Sequence, residues 1–206
     1  ANVLVSGSGT LTGNGTVKVT KITATADFSN QYAITNKTLT NLTVDYSGTA
    51  TQSISALTYN NLTISNASVV GVTASSNFTV NNTFSIGSGA TFTPSAGVVV
   101  SGTGTLTGTG KIYVTRTSAN ADLISQYTLS TLNLNSGITV EYSAASSQTI
   151  NAVNYYNLIC SGGGSRTLSS SGTIGISGTF TPGGGTYTIS GSTIDYNGTA
   201  TQTVTA

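Results

Sequence analysis

The feature that most constrains this chain is that it repeats itself along almost its whole length. Val3-Leu-Val-Ser-Gly-Ser-Gly-Thr-Leu-Thr-Gly returns as Val98-Val-Val-Ser-Gly-Thr-Gly-Thr-Leu-Thr-Gly. The match runs on through Val19-Thr-Lys21 and Val114-Thr-Arg116, Ala26-Asp-Phe and Ala121-Asp-Leu, Gln31-Tyr32 and Gln126-Tyr127, then Val44-Asp-Tyr and Val140-Glu-Tyr. A partial third copy closes the sequence, where Ile194-Asp-Tyr-Asn-Gly-Thr-Ala-Thr-Gln repeats Val44-Asp-Tyr-Ser-Gly-Thr-Ala-Thr-Gln. Thr91-Phe-Thr-Pro94 likewise returns as Thr179-Phe-Thr-Pro182. Self-similarity of this kind marks stacked units, each burying its apolar face against the next.

A shorter rhythm lies inside the long units. Asn41-Leu-Thr-Val and Asn61-Leu-Thr-Ile are near-copies, and strand-like pieces such as Gln52-Ser-Ile-Ser alternate with Gly, Asn and Ser turns. The strands read Thr-apolar-Thr, as in Thr10-Leu-Thr12, Thr91-Phe-Thr93, Thr105-Leu-Thr107 and Thr186-Tyr-Thr188. Alternation along a strand points the central residue inward and both threonines outward. Three such strands in about 20 residues make one rung of a parallel β-helix, within the known range of repeat lengths. We therefore expect an all-β chain, a β-solenoid forming one elongated body over residues 1–206. Its long units span about 3–97 and 98–206, the second ending in the partial third copy. Some ten rungs would give a rod on the order of 50 Å. An array of β-sandwiches is the rival architecture, but the rungs are shorter than any sandwich domain.

Composition agrees and closes off several functions. Charged residues make up 5% of the chain, against about 25% in an ordinary domain. Thr, Ser, Asn and Gly supply the polar surface instead, and they suit strands and turns. The net charge is +1, so no basic face is offered to nucleic acid. No run approaches a membrane helix in length. There is no His, and the single Cys160 can form no internal disulfide. We accordingly expect no metal site, no cofactor and no enzyme activity. The remaining catalytic option is a carboxylate pair among Asp27, Asp45, Asp122, Glu141 and Asp195. Each of these sits at a repeated position, which points to a recurring packing problem rather than to a site built once. Pairing or capping is expected, with Asp27 near Lys21 and Asp122 near Arg116. Cys160 aligns with Ile64 and should be a buried small apolar residue. The repeated tyrosines, Tyr46 with Tyr142 and Tyr196, and Tyr59 with Tyr155, should pack at corners rather than form an exposed sugar-stacking ladder. The Gly162-Gly-Gly164 run, with no following helix or Lys, reads as a turn.

One stretch, residues 18–32, breaks the rhythm, and so does its copy at 113–127. Asp27, Phe28, Gln31 and Tyr32, with Asp122, Leu123, Gln126 and Tyr127, are expected in a lateral loop or a short helical turn. Such a segment either caps a rung edge or docks on a neighbour.

The strings Gly-Thr-Val-Lys-Val-Thr-Lys, Ala-Asp-Phe-x-x-Gln-Tyr, Leu-Thr-Asn-Leu-Thr-Val-Asp-Tyr and Leu-Thr-Tyr-Asn-Asn-Leu-Thr-Ile resemble repeats of large secreted surface proteins. They look like those of Bacteroidota-type bacteria, adhesin-like chains of β-strand repeats. The resemblance implies a secreted, extracellular or cell-surface protein without catalytic residues. The final copy stops at Gln202-Thr-Val-Thr-Ala206, short of the Leu-x-Tyr-Asn-Asn-Leu-Thr-Ile continuation, and no charged or Pro-rich cap closes either end. We therefore expect Asn2, Val3, Leu4 and Val5 of one copy to meet Gln202, Thr203, Val204 and Thr205 of another. That contact would build a head-to-tail homopolymer, unless the chain is cut from a longer rod. The alternative is a module whose surface binds glycans or, through Thr-x-Thr faces, ice. In sequence the Thr-x-Thr motifs are unevenly spaced, which counts against that alternative.

Overall fold

A computed structural model describes residues 2–23, 26–118 and 120–204. The chain is a parallel β-solenoid of about 8 turns, successive turns lying ~22 residues apart. Eight turns replace the ten expected, because turns take ~22 residues rather than about 20 and one turn in each long unit takes 27 or 28. Every strand pairing among the described residues is parallel. This is the geometry of a chain that always returns to its starting wall in the same direction.

The registers sort the strands into three walls. One wall is a continuous seven-stranded sheet running from Gln52–Ser53 through Val72–Ala74, Thr91–Pro94, Lys111–Val114, Thr139–Tyr142 and Asn157–Cys160 to Phe180–Thr181. A second wall stacks Gly15–Val19, Leu42–Tyr46 and residues 61–64, 83–86 and 105–108. The third holds residues 78–80, 100–102 and 127–129. Gly102 forms the corner between the last two at φ +131°, where any Cβ would meet the Val80 carbonyl oxygen at 2.1 Å.

Turn length is not constant. Val17, Val44 and Leu62 stack over one another, so those turns take 27 and 18 residues. Ile112, Val140 and Leu158 do the same, with 28 and 18. The 95-residue spacing between copies is therefore four turns plus one wall. Val17 lies in the second wall, whereas its counterpart Ile112 lies in the seven-stranded one.

Alternation places one apolar residue in two inside. Phe84, Phe92, Leu106, Ile112, Val140 and Leu158 are buried at consecutive levels. Phe78, Phe84 and Phe92 meet edge to face with centroids 5.3–5.9 Å apart, a geometry that adds to their area burial. In Thr91-Phe92-Thr93 and Thr105-Leu106-Thr107 the middle residue is buried and its flanking threonines are half-exposed, as the alternation requires.

Candidate functional site

The two segments that break the rhythm are short helical turns, Phe28–Gln31 and Leu123–Gln126. Each opens on its aspartate. Asp27 accepts a hydrogen bond from the Asn30 amide at 2.8 Å, and Asp122 one from the Ser125 amide at 2.7 Å. This is N-terminal capping, and neither aspartate forms the ion pair expected with Lys21 or Arg116. Among the described residues the ion pair is Lys111 with Glu141, at 2.7 Å. Most side chains of these segments turn inward. Phe28, Leu123, Gln31, Gln126 and Tyr127 are buried, and Tyr32 is half-buried. Gln31 accepts from the Thr20 and Lys21 amides at 2.8 and 2.9 Å. Gln126 accepts from the Thr115 amide at 2.8 Å. The Tyr32 and Tyr127 hydroxyls donate to the Lys18 and Tyr113 carbonyls, each at 2.8 Å. Asn30 and Ile124 are what these turns present to solvent.

The carboxylates are spread out. Asp27 bridges Ser53 on the seven-stranded wall, while Asp45 sits between Lys18 and Thr63 on the second wall. The two do not face each other, and Asp45 instead accepts from the Ser65 hydroxyl at 2.6 Å. Asp195 is exposed. No cluster of three or more His, Cys, Asp or Glu side chains that could hold a metal is found among the described residues.

Of the repeated tyrosines, Tyr46, Tyr59, Tyr142 and Tyr155 are internal and Tyr196 is half-buried. Tyr46 and Tyr59 bring their hydroxyls to 3.4 Å, and Tyr142 and Tyr155 to 3.0 Å. Burial raises the pKa of all four phenols. Cys160 is buried opposite Tyr142, the position Ile64 takes opposite Tyr46, and burial pushes its thiol up.

Two devices escape the sequence reading. Gln52, Gln148 and Gln202 occupy one repeated position and act alike. Each side-chain oxygen accepts an amide four residues earlier, from Gly48, Ala144 and Gly198 at 2.9, 3.2 and 2.8 Å. Each side-chain nitrogen donates to two carbonyls of the turn below, Val19 and Lys21, Val114 and Arg116, or Ile176 and Gly178. The second device is Arg166, fully buried, whose terminal nitrogens donate to the carbonyls of Tyr142, Ala144, Ser146, Gly162, Gly164 and Ser165. The Gly162-Gly-Gly164 run is the turn that wraps it. A Cβ on Gly162 or Gly164 would meet the Ala144 or Ser146 carbonyl oxygen at 2.0 or 2.1 Å.

The rod's ends differ from its flanks. Among the described residues Val5–Leu11 pairs on one side only, with Tyr32–Lys37, and Gly15–Val19 only with Leu42–Tyr46. At the other end Phe180–Thr181, Tyr187–Thr188 and Thr193–Tyr196 each have one partner strand. Exposed apolar side chains occur at both ends, Val3, Leu4, Val5 and Ile22 at one and Ile189, Ile194 and Val204 at the other, and on the flank at Val69, Val70, Ile124 and Tyr156. Asn2 is exposed, and its side-chain oxygen accepts from the Ile22 amide at 3.2 Å. Gln202 serves its own corner, Thr203 is exposed beside it, and Thr205 lies outside the described residues.

The fold defines a parallel β-solenoid whose first and last described turns pair on one side among the described residues. No protein-family model, curated protein or solved structure matches the chain. Among the described residues no helix is long and apolar enough to cross a membrane.

Proposed function

We propose that this protein is a non-enzymatic structural rod of an extracellular or cell-surface filament or adhesin stalk, extended by head-to-tail stacking of solenoid ends. The observation that carries the reading is the uniformly parallel stacking of the walls, which lets one solenoid turn extend onto another at either described end, where apolar side chains are exposed. An unpaired edge is a template for another strand. Because every strand runs in the same sense, the top of one copy continues onto the base of the next without reversing direction. Such a heterologous contact does not close on itself, which is the geometry of a fibre. The resemblance to Bacteroidota-type surface repeats points the same way, to a secreted or cell-surface setting.

Negative-stain electron microscopy with a dilution series tests this. Uniform fibres that disassemble on dilution are expected. Leu4→Lys with Ile194→Lys, which sets like charges at both ends, should leave the fold intact by circular dichroism and abolish the fibres. Dispersed rods of the unaltered protein at high concentration would overturn the homopolymer.

A further inference from the structure

The second wall carries a surface that end-to-end stacking does not use and that packing uses at two corners, where Thr107 accepts from Asn133 Nδ2 at 3.5 Å and Asn61 Oδ1 accepts from Asn82 Nδ2 at 2.8 Å. Asn61, Thr83 and Thr105 stand in one column, and Thr63, Ser85 and Thr107 in a second. The register across these three strands is unbroken from residue 61 to 64, 83 to 86 and 105 to 108, its one irregularity lying at the corner before Asn61. Between the columns Leu62, Phe84 and Leu106 point into the core and fix the outward residues in place. The hydroxyls of Thr63, Thr83, Ser85 and Thr105 make no hydrogen bond within the described protein. No charged residue occupies any of the six outward positions.

We propose that this face binds ice. Backbone pairing sets the spacing along the rod at about 4.8 Å, and the two-residue strand period sets the spacing across it at roughly 6.7 Å. The result is a rectangular grid of hydroxyls and methyls, with a side-chain amide at Asn61, at separations close to those between oxygens on an ice surface. Threonine suits the task because its branched side chain is stiff at χ1. The grid is thus ordered before it meets its ligand, and little side-chain entropy is lost on contact. Each hydroxyl can take the place of one lattice water, while the neighbouring methyl excludes water that does not fit the lattice. A charged side chain would hold its own hydration shell and break the pattern. A polysaccharide is the less suitable ligand, since neither column offers an aromatic ring for a sugar to stack on and the face is not a concave cleft.

The uneven spacing of Thr-x-Thr in the sequence is explained by the walls. Thr105-Leu-Thr107 lies on this face, but Thr91-Phe-Thr93 lies on the seven-stranded wall and Thr186-Tyr-Thr188 on another. The neighbours that complete the grid read Asn-Leu-Thr and Thr-Phe-Ser, and a search for one motif passes over them.

The test is ice-crystal shaping and inhibition of recrystallisation by the purified protein, beside a pull-down on insoluble chitin and cellulose. Faceted crystals are expected. Thr83→Tyr and, separately, Thr105→Lys should each raise the concentration needed for inhibition about tenfold or more, the scale on which a blocked central contact acts. Thr73→Tyr, on the seven-stranded wall, should leave inhibition unchanged. Circular dichroism checks that each variant is folded. Unshaped crystals at the highest soluble concentration of the unaltered protein would overturn the proposal. So would equal inhibition by folded Thr83→Tyr or Thr105→Lys, and so would binding to polysaccharide without any effect on ice.

Discussion

At the scale of single residues, polar side chains hold this rod's corners together. A solenoid corner leaves backbone amides and carbonyls that the sheets cannot pair, and burying them unpaired is costly. Gln52, Gln148 and Gln202 answer this in three copies, one amide oxygen and one amide nitrogen serving three backbone groups each. Gln148→Ala strands the Ala144 amide and the Val114 and Arg116 carbonyls in a buried corner. We expect it to destabilise the fold by about 2–4 kcal/mol, read as a lower urea midpoint at unchanged slope. Gln52→Ala should cost a similar amount. Gln202→Ala should cost less, because Gln202 is only half-buried and water can replace its contacts. Equal midpoints for all three variants and the unaltered protein would refute the corner role. The sequence displayed these glutamines at a repeated position but gave no sign of their purpose, since a Gln in a strand reads as surface. The same holds for Arg166, whose partners are six carbonyls and so leave no trace in side-chain chemistry.

At the scale of elements, the strands were legible and the segments between them were not. Alternation announced Phe92 and Leu106 as inward, and copy-to-copy alignment placed Cys160 in the core with Ile64. The helical turns at 28–31 and 123–126 stayed ambiguous because a four-residue helix has no periodicity to read. Their Asp caps are a local signal, but burial of Phe28 and Gln31 depends on what lies above and below. One consequence is testable with pH. Tyr46, Tyr59, Tyr127, Tyr142 and Tyr155 are buried, and burial lifts each phenol above its ordinary value. In the unfolded chain they ionise near pH 10. The folded state thus retains protons that the unfolded state gives up. Stability is full below about pH 10 and falls as pH rises beyond it, by roughly 1.4 kcal/mol per pH unit for each such phenol. Phenolate absorbance of these five should appear together with loss of the sheet signal in circular dichroism. If all the tyrosines ionised while the sheet signal persisted, the buried hydroxyl pairs would not exist as described.

At the scale of the whole molecule, the sequence repeat and the structural repeat differ. The 95-residue copy is what alignment sees, yet the unit that stacks is a turn of ~22 residues. Because the copy is four turns and one wall, equivalent strands of the two copies lie on different walls. No alignment of the sequence with itself could reveal which residues share a face. The turn also predicts what can be removed. Residues 61–64, 83–86 and 105–108 are stacked in register, so deleting 83–104 joins Asn82 to Thr105 and sets Thr105 over Asn61. Every remaining wall keeps its phase. Ile112 descends onto Val72 in place of Phe92, and the rod shortens by about 4.8 Å. The shortened chain should keep its parallel-sheet spectrum and cooperative unfolding, at lower stability for want of Phe84 and Phe92. Deleting only 83–93 removes about half a turn and moves every later strand onto the wrong wall, with inward residues meeting corners. That chain should fail to fold. Small-angle scattering and thermal unfolding separate the outcomes. If both deletions fold equally well, or the full-turn deletion alone collapses, the turn is not the unit of stability. The rod would then be built from the long copies as indivisible blocks.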